Sequence, residues 1–261
     1  MTDRERLRAT FDEDADRYDR VRPGYPPALF DDLAAWADLR PGSRVLEIGA
    51  GTGQATRDLA ARGYRVTAVE LGPELAERAR RNLAGFPDTE VVTADFDRWS
   101  PPHRYDAVVA ATAFHWLDPA TRAARTAAAL AGGGALAVVA TEHVAGGSDA
   151  FFDEVQRCYE RWDPATPPGL RLLPASAFSA GLPDIASSGL FGPVRTGRYE
   201  STLRYSTAEY LDVLDTYSGH RALPRAGHDG LFADIADLID TRHGGHVAKN
   251  YLRMLSVFPC L

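Results

Sequence analysis

Between residues 43 and 141, short apolar runs alternate with segments whose apolar positions recur every three or four residues. The runs Arg44–Ile48, Arg65–Glu70, Glu90–Thr93, Ala107–Ala111 and Ala135–Thr141 predict strands. Gln54–Ala61, Pro73–Ala84 and Thr121–Ala131 predict the helices between them. Strands alternating with helices imply βαβ units around a parallel sheet. The unbroken run Ala107-Val108-Val109-Ala110 suits a strand covered on both faces. In the segment after the second strand, Pro73 takes a first-turn position and Glu74 suits the positive helix end. Leu75, Ala79 and Leu83 share one face, and Gly85 is the expected stop.

The flanks follow other patterns. Residues 1–40 are amphipathic with helical spacing, but Arg22-Pro23-Gly24-Tyr25-Pro26-Pro27 forbids one continuous helix. From 150 onward, Phe151, Val155, Cys158, Tyr159 and Trp162 form a helical stripe, and a Pro-rich connection runs from Pro164 to Pro174. Val194–Tyr205 reads as a strand. Ser206 with Glu209 is a capping-box pattern opening a helix to about Tyr217. A further helix, Asp229–Arg242, stops at Gly244-Gly245, and Val247–Val257 reads as the last strand. The expectation is one α/β domain over 1–261. It comprises an N-terminal helical flap (1–40), a ligand-binding core (41–145), a cap and substrate region (146–230) and a C-terminal helix and strand (231–261).

Composition narrows the function. With 29 Lys+Arg against 36 Asp+Glu, the net charge of −7 lacks the positive surface that nucleic acid requires. Lys249 is the only lysine, which together with the many alanines reads as codon bias. Cys158 and Cys260 are too few for a disulfide framework or a cysteine zinc site, and read as free thiols of a cytoplasmic protein. The charged N-terminus carries no secretory pattern, and Gly132-Gly133-Gly134 breaks the most apolar stretch, so no membrane span is expected. The histidines at 115, 143, 220, 228, 243 and 246 fall into no metal-site spacing, so no metal is expected.

The chemistry concentrates in Val45-Leu46-Glu47-Ile48-Gly49-Ala50-Gly51-Thr52-Gly53-Gln54, a glycine loop between a strand and a helix. A dinucleotide loop reads G-x-G-x-x-G, whereas here Gln54 stands at the third glycine and the spacing is G-x-G-x-G. Glu47 would repel a pyrophosphate and attract an ammonium group. Glu70, ending the second strand, can accept both hydroxyls of a ribose. No Gly-Lys-Ser/Thr follows, which excludes a P-loop.

Residues 45–53 resemble motif I of class I S-adenosylmethionine-dependent methyltransferases. Glu70 matches that family's ribose-binding acid, and Leu71 the residue packing on adenine. Ala94-Asp95-Phe96 matches the segment after strand three, where Asp95 would accept from the adenine amino group. Leu130–Leu136 is similar to the Gly-rich turn before strand five. The resemblance implies a Rossmann-like, doubly wound, seven-stranded sheet, mostly parallel with the last strand antiparallel, plus a helical cap. It implies S-adenosyl-L-methionine as cofactor and S-adenosyl-L-homocysteine as product. Phe11, Tyr18-Asp19, Arg22–Pro26, Phe114-His115-Trp116 and Thr216-Tyr217-Ser218 resemble outer motifs of the methyltransferase-11 and trans-aconitate-methyltransferase-like type.

The expected cofactor contacts are therefore Glu47, Gly49, Ala50, Gly51, Gly53, Glu70, Leu71, Asp95 and Phe96, with Tyr18 and Arg22 from the flap. Tyr25, Phe114, Trp116 and Tyr217 are expected on the substrate side. His115 is either a proton acceptor or a shaper of the pocket. The N/D-P-P-Y/F motif of nucleic-acid amino methyltransferases is absent, since strand four continues Ala113-Phe114-His115-Trp116. The expected activity is O-, N- or C-methylation of a small molecule by a monomer or homodimer. A non-methylating step on the same fold, such as cyclisation, is the alternative, and a non-catalytic binding module a third reading.

Overall fold

The structure is a computed structural model that describes Asp12 and residues 14–261, so Phe11 lies outside the described residues. The chain divides into two compact units. One comprises residues 23–141, 179–199 and 253–261; the other comprises 142–178, 200–252 and the N-terminal stretch through Arg22.

Seven strands form one sheet: β1 (Arg44–Ile48), β2 (Arg65–Glu70), β3 (Thr89–Thr93), β4 (Tyr105–Ala111), β5 (Leu130–Gly147), β6 (Arg195–Ser206) and β7 (His246–Pro259), in the order β3-β2-β1-β4-β5-β7-β6. β1 pairs in parallel with β2 and β4, β2 with β3, and β4 with β5. β7 runs against its neighbours. Cys260 N–H donates to the Gly134 carbonyl near the start of β5, and Ser148 N–H to the Ala248 carbonyl just past its end. On the other side, Thr202 meets Asn250 and Arg198 meets Met254. The mostly parallel sheet with an antiparallel last strand is thus as expected. Strand order reverses between β1 and β4, the switch point where open α/β sheets bind ligands outside their carboxyl ends.

The helices are α1 (Ala15–Val21), α2 (Pro27–Trp36), α3 (Gln54–Ala61), α4 (Pro73–Asn82), α5 (Arg122–Ala129), α6 (Asp149–Trp162), α7 (Pro183–Ala186), α8 (Thr207–Leu214), α9 (Ser218–Arg221) and α10 (Arg225–Arg242). Strand alternation sorts the core of the sheet-bearing unit into two layers. Val45, Val66, Ala107 and Val109 pack with Leu29, Phe30 and Leu33 of α2 and Leu59 of α3. Leu46, Ile48, Val108 and Leu136 pack on the opposite face with Phe114, Leu117 and Phe258. The other unit has its own core, in which Phe151 and Val155 of α6 meet Tyr210 and Val213 of α8 and Leu231 and Ile235 of α10.

Four local expectations are corrected. The Gly-rich stretch lies within β5, because the pairing with β4 jumps from Tyr105↔Leu130 to Ala107↔Ala135 and leaves 131–134 as a bulge. The bulge needs glycine, since a Cβ on Gly134 would lie 2.9 Å from the Asp106 carbonyl oxygen. The strand also continues past Thr141 to Gly147. Helix α4 ends with Leu83 at its C-cap, and Gly85 is not in the left-handed region, so the stop comes before the glycine. Helix α10 begins at Arg225, directly after Pro224, four residues earlier than its periodicity indicates.

Candidate functional site

After β1 the chain turns through Gly49, Gly51 and Gly53, with φ of 69°, 59° and 91°. These are left-handed conformations that favour glycine. At Gly49 the requirement is double, since an added Cβ would sit 2.6 Å from the Ala113 Cβ. The N–H groups of Gly49 and Ala50 donate to the Val69 carbonyl at 2.8 and 3.2 Å. Glu70 completes the link: its Oε2 accepts from Gly51 N–H at 2.8 Å and its Oε1 from Gly72 N–H at 2.9 Å. One carboxylate thus ties the loop after β1 to the loop after β2. Beside this 8% exposed carboxylate, Leu71 stands 39% exposed, an apolar surface suited to a flat ligand group.

Glu47 is 1% exposed and accepts a hydrogen bond from Thr56 Oγ1 at 2.6 Å. Burial raises its pKa to about 8, the Thr56 bond pulling it back and the charges of Glu70 and Asp58 adding to the rise. It is therefore mostly protonated at pH 7, and an arriving ammonium group would favour its ionised form.

Beyond β3, Asp95 Oδ1 accepts from Asp97 N–H at 3.2 Å, and the Asp95 carbonyl accepts from Arg98 and Trp99. Phe96 is buried, with the Arg125 guanidinium 5.5 Å from its ring centroid. At the carboxyl end of β4, Thr112 has φ 57°, a strained conformation for a β-branched residue. Its hydroxyl lies 3.1 Å from the Tyr25 hydroxyl and 3.0 Å from that of Thr141. Phe114 is core, with Arg122 over its ring at 4.6 Å and paired to Asp184 at 2.7 Å. His115 is exposed beside Trp116, their ring centroids 4.8 Å apart. Partial desolvation, and then the Arg122 charge, hold its pKa below the ordinary histidine value.

Tyr18, Arg22 and Tyr217 meet within the other unit. The Arg22 guanidinium lies 4.9 Å from the Tyr18 ring and 4.5 Å from that of Tyr217, and donates to the Thr216 carbonyl at 2.6 Å. The structure therefore gathers Glu47, Gly49, Ala50, Gly51, Gly53, Glu70 and Leu71 around the turn after β1, and joins Tyr25 to Thr112. Sequence reasoning passed over Thr112, Thr56 and Lys249. The last is 3% exposed and close to three tyrosine rings. Its signal was present, because alternation along the last strand puts Lys249 on the same face as Val247 and Tyr251. Among the described residues no cluster of three or more His, Cys, Asp or Glu could hold a metal, and no helix is long and apolar enough to cross a membrane.

Residues 45–134 match the family described as a methyltransferase domain. An uncharacterized methyltransferase of Mycobacterium tuberculosis is 37% identical over 123 residues, which is 47% of this chain and 48% of that protein. The chain spans about half the length of the first curated relatives it matches. An rRNA adenine N-6-methyltransferase of Saccharopolyspora erythraea is 47% identical over 79 residues, covering 30% of this chain and 21% of that one. Among solved structures, a candidate type II methyltransferase from Anaeromyxobacter dehalogenans superposes with a TM-score of 0.62 at 24% identity, covering 91% of this chain and 97% of that chain. Phosphoethanolamine N-methyltransferase 2 of Haemonchus contortus, solved with S-adenosyl-L-methionine, gives 0.54 at 17% identity over 99% of this chain and 60% of that chain.

Proposed function

We propose that residues 45–134, which match a methyltransferase domain, form the cofactor-binding core of a class I S-adenosylmethionine-dependent methyltransferase, and that the protein methylates a small-molecule acceptor. The observation that carries this reading is the Glu70 carboxylate, bound by Gly51 N–H and Gly72 N–H beside the exposed Leu71. A buried acid next to an apolar ledge suits a nucleoside: a diol for the acid, a flat base for the leucine. Bound there, S-adenosylmethionine would supply an electrophilic sulfonium methyl group.

The chain's own residues would bind and align. Gly49, Ala50, Gly51 and Gly53 let the ligand approach the backbone. Glu70 would accept from the ribose hydroxyls, Leu71 and Phe96 would hold the base, and Asp95 would accept from its amino group. Glu47 suits the ammonium end, since a buried carboxylate gains most from a cation where water is excluded. Tyr18 and Arg22 are the flap's candidates. Tyr25, Phe114, Trp116 and Tyr217 are those for the acceptor side. His115, neutral at pH 7, can receive a proton or shape the pocket.

A small acceptor is favoured over RNA, although some relatives are named as RNA methyltransferases. The match to the rRNA enzyme covers only 30% of the chain. A net charge of −7 also works against the phosphate contacts that dominate RNA affinity. Isothermal calorimetry tests the cofactor: S-adenosylmethionine and S-adenosylhomocysteine should bind, with NAD unable to compete. Tight NAD binding without binding of either would overturn the reading. Methyl incorporation into bulk RNA, with none into small metabolites, would replace the acceptor class.

A further inference from the structure

The unit made of residues 142–178, 200–252 and the stretch through Arg22 buries titratable groups that the proposed cofactor chemistry leaves unused. At their centre is Lys249 on β7, whose Nζ lies 5.6, 5.4 and 5.5 Å from the ring centroids of Tyr210, Tyr217 and Tyr251. His143 Nε2 is 3.3 Å from the Tyr217 hydroxyl, and its ring centroid is 5.4 Å from that of Tyr251. The Tyr251 and Tyr205 hydroxyls are 3.0 Å apart, and Tyr159 meets His220 Nε2 at 2.9 Å. His220 Nδ1 is buried with no hydrogen-bond partner among the described residues.

Arg22 lies over Tyr217 and is the charged neighbour that lowers Lys249. The acid whose charge reaches the cluster is Asp163, which acts on His220 and Tyr159. Asp212 and Asp215 pair with Arg17, Asp215 also with His228, Asp234 with Arg161, and Glu154 with Arg242. Burial, and then Arg22, bring the Lys249 pKa down to about 7. Burial pushes Tyr159, Tyr210 and Tyr251 well above the ordinary phenol value, so they remain hydroxyl donors. Burial and then the Lys249 charge hold His220 at about 4, a neutral imidazole. A buried amine free to be neutral, enclosed by aromatic rings and facing a second cation, is equipped to take a proton from a planar ligand. The same cations then hold the anion it leaves.

We propose that the Lys249 cluster binds an acceptor bearing an acidic hydroxyl on a planar ring or enol, with Lys249 taking the hydroxyl proton. This rests on the methyltransferase reading and assigns it an O-methyl acceptor. The O–H bond breaks, an N–H bond forms on Nζ, and the oxyanion remains paired with the ammonium group and the positive field of Arg22. Tyr217 and Tyr251 supply hydroxyl donors to that oxyanion, and the rings of His143 and His220 close the cage.

Because Lys249 is the only lysine, labelling lysine with 13C gives one Cε resonance that reports its charge. In the free protein this signal should titrate near pH 7. With 4-nitrophenol added at pH 7, where amine and free probe are each about half-ionised, it should move to the protonated position while the bound probe's phenolate band rises above that of the free probe. Benzoate, which has no proton to give, should leave the band experiment blank and compete weakly. Lys249→Met should weaken 4-nitrophenol binding ~30-fold or more, as truncation of one member of a buried charge pair does. Calorimetry with S-adenosylhomocysteine on the same variant should be unchanged, which shows that it folds and separates this inference from the cofactor reading. A Cε signal titrating like an exposed lysine would overturn the proposal. So would 4-nitrophenol leaving both that signal and its own spectrum unmoved. Loss of S-adenosylhomocysteine binding by the unmutated protein would instead strike the cofactor reading.

Discussion

Glu47 and Lys249 are buried to nearly the same degree, 1% and 3% exposed, in different units of the chain. They carry opposite charges when ionised, and desolvation drives both toward neutrality, Glu47 to about 8 and Lys249 to about 7. Their surroundings differ. Glu47 has a hydroxyl donor, Thr56, and lies beside a glycine turn held by a second carboxylate. Lys249 has rings and a second cation. An acid near other acids is stabilised by an arriving cation, and an amine near a cation by an arriving anion. On the functions proposed above, the same desolvation prepares one region for the positive end of a cofactor and the other for an acidic hydroxyl.

Gly49→Ala tests the first region most severely. The left-handed φ and the close approach to Ala113 together should cost about 3 kcal/mol of stability. S-adenosylhomocysteine binding should be lost in calorimetry, while the 4-nitrophenol response of Lys249 survives. Loss of both would mean that the two regions are not independently built.

Opposite pH slopes separate the two buried groups. The folded pKa of Glu47 lies above its unfolded value near 4.5. Its contribution is therefore full below that value and is lost as pH rises toward 8. The folded pKa of Lys249 lies below its unfolded value near 10.5, so its contribution is full above that value and is lost as pH falls toward 7. In urea unfolding across pH 5 to 10, Glu47→Gln should gain on the unmutated protein as pH climbs to 8. Lys249→Met should gain as pH drops to 7. Each change should amount to a few kcal/mol. Parallel slopes for the two variants would break the comparison.

Glu70→Ala should have the next largest effect, about 1–3 kcal/mol of cofactor affinity, because it removes charge-assisted hydrogen bonds and leaves two N–H donors, on Gly51 and Gly72, to find other partners. Unaltered S-adenosylhomocysteine affinity would remove the diol role from this carboxylate.

Most of the glycine-turn region was legible in the sequence and little of the lysine region was, for a physical reason. The first depends on local order: a strand, a turn needing φ > 0, a helix and a terminal acid follow one another within 27 residues, from Arg44 to Glu70. The capping box at Ser206 and Glu209 was legible on the same ground and forms as expected. Lys249, Tyr217, His220 and Arg22 meet only through tertiary folding, and no spacing along the chain records that. Gly132-Gly133-Gly134 misled as a turn because a bulge and a turn draw on the same residue type. Thr112 was invisible because a β-branched residue gives no sign of a left-handed conformation imposed by its surroundings.

The smallest expected effect belongs to His115 and decides which region handles the proton. His115 is neutral at pH 7, follows β4 and leans on Trp116, so it has the chemistry of a base. It is also exposed, so its ring is not held apart from bulk water as a dedicated base would be. If His115 were the general base, His115→Asn would cost on the order of a hundredfold in kcat and erase the acidic limb of the pH profile. If Lys249 takes the proton, His115 is left with a binding role within its own unit. The substitution should then raise KM, leave kcat within about threefold and preserve the acidic limb. Steady-state kinetics from pH 5 to 9 on His115→Asn and Lys249→Met separate the cases, since the limb should vanish in only one variant. We expect it to vanish with Lys249. A limb lost with His115 and retained without the lysine would return the proton to the sheet-bearing unit and leave the buried amine a purely electrostatic part.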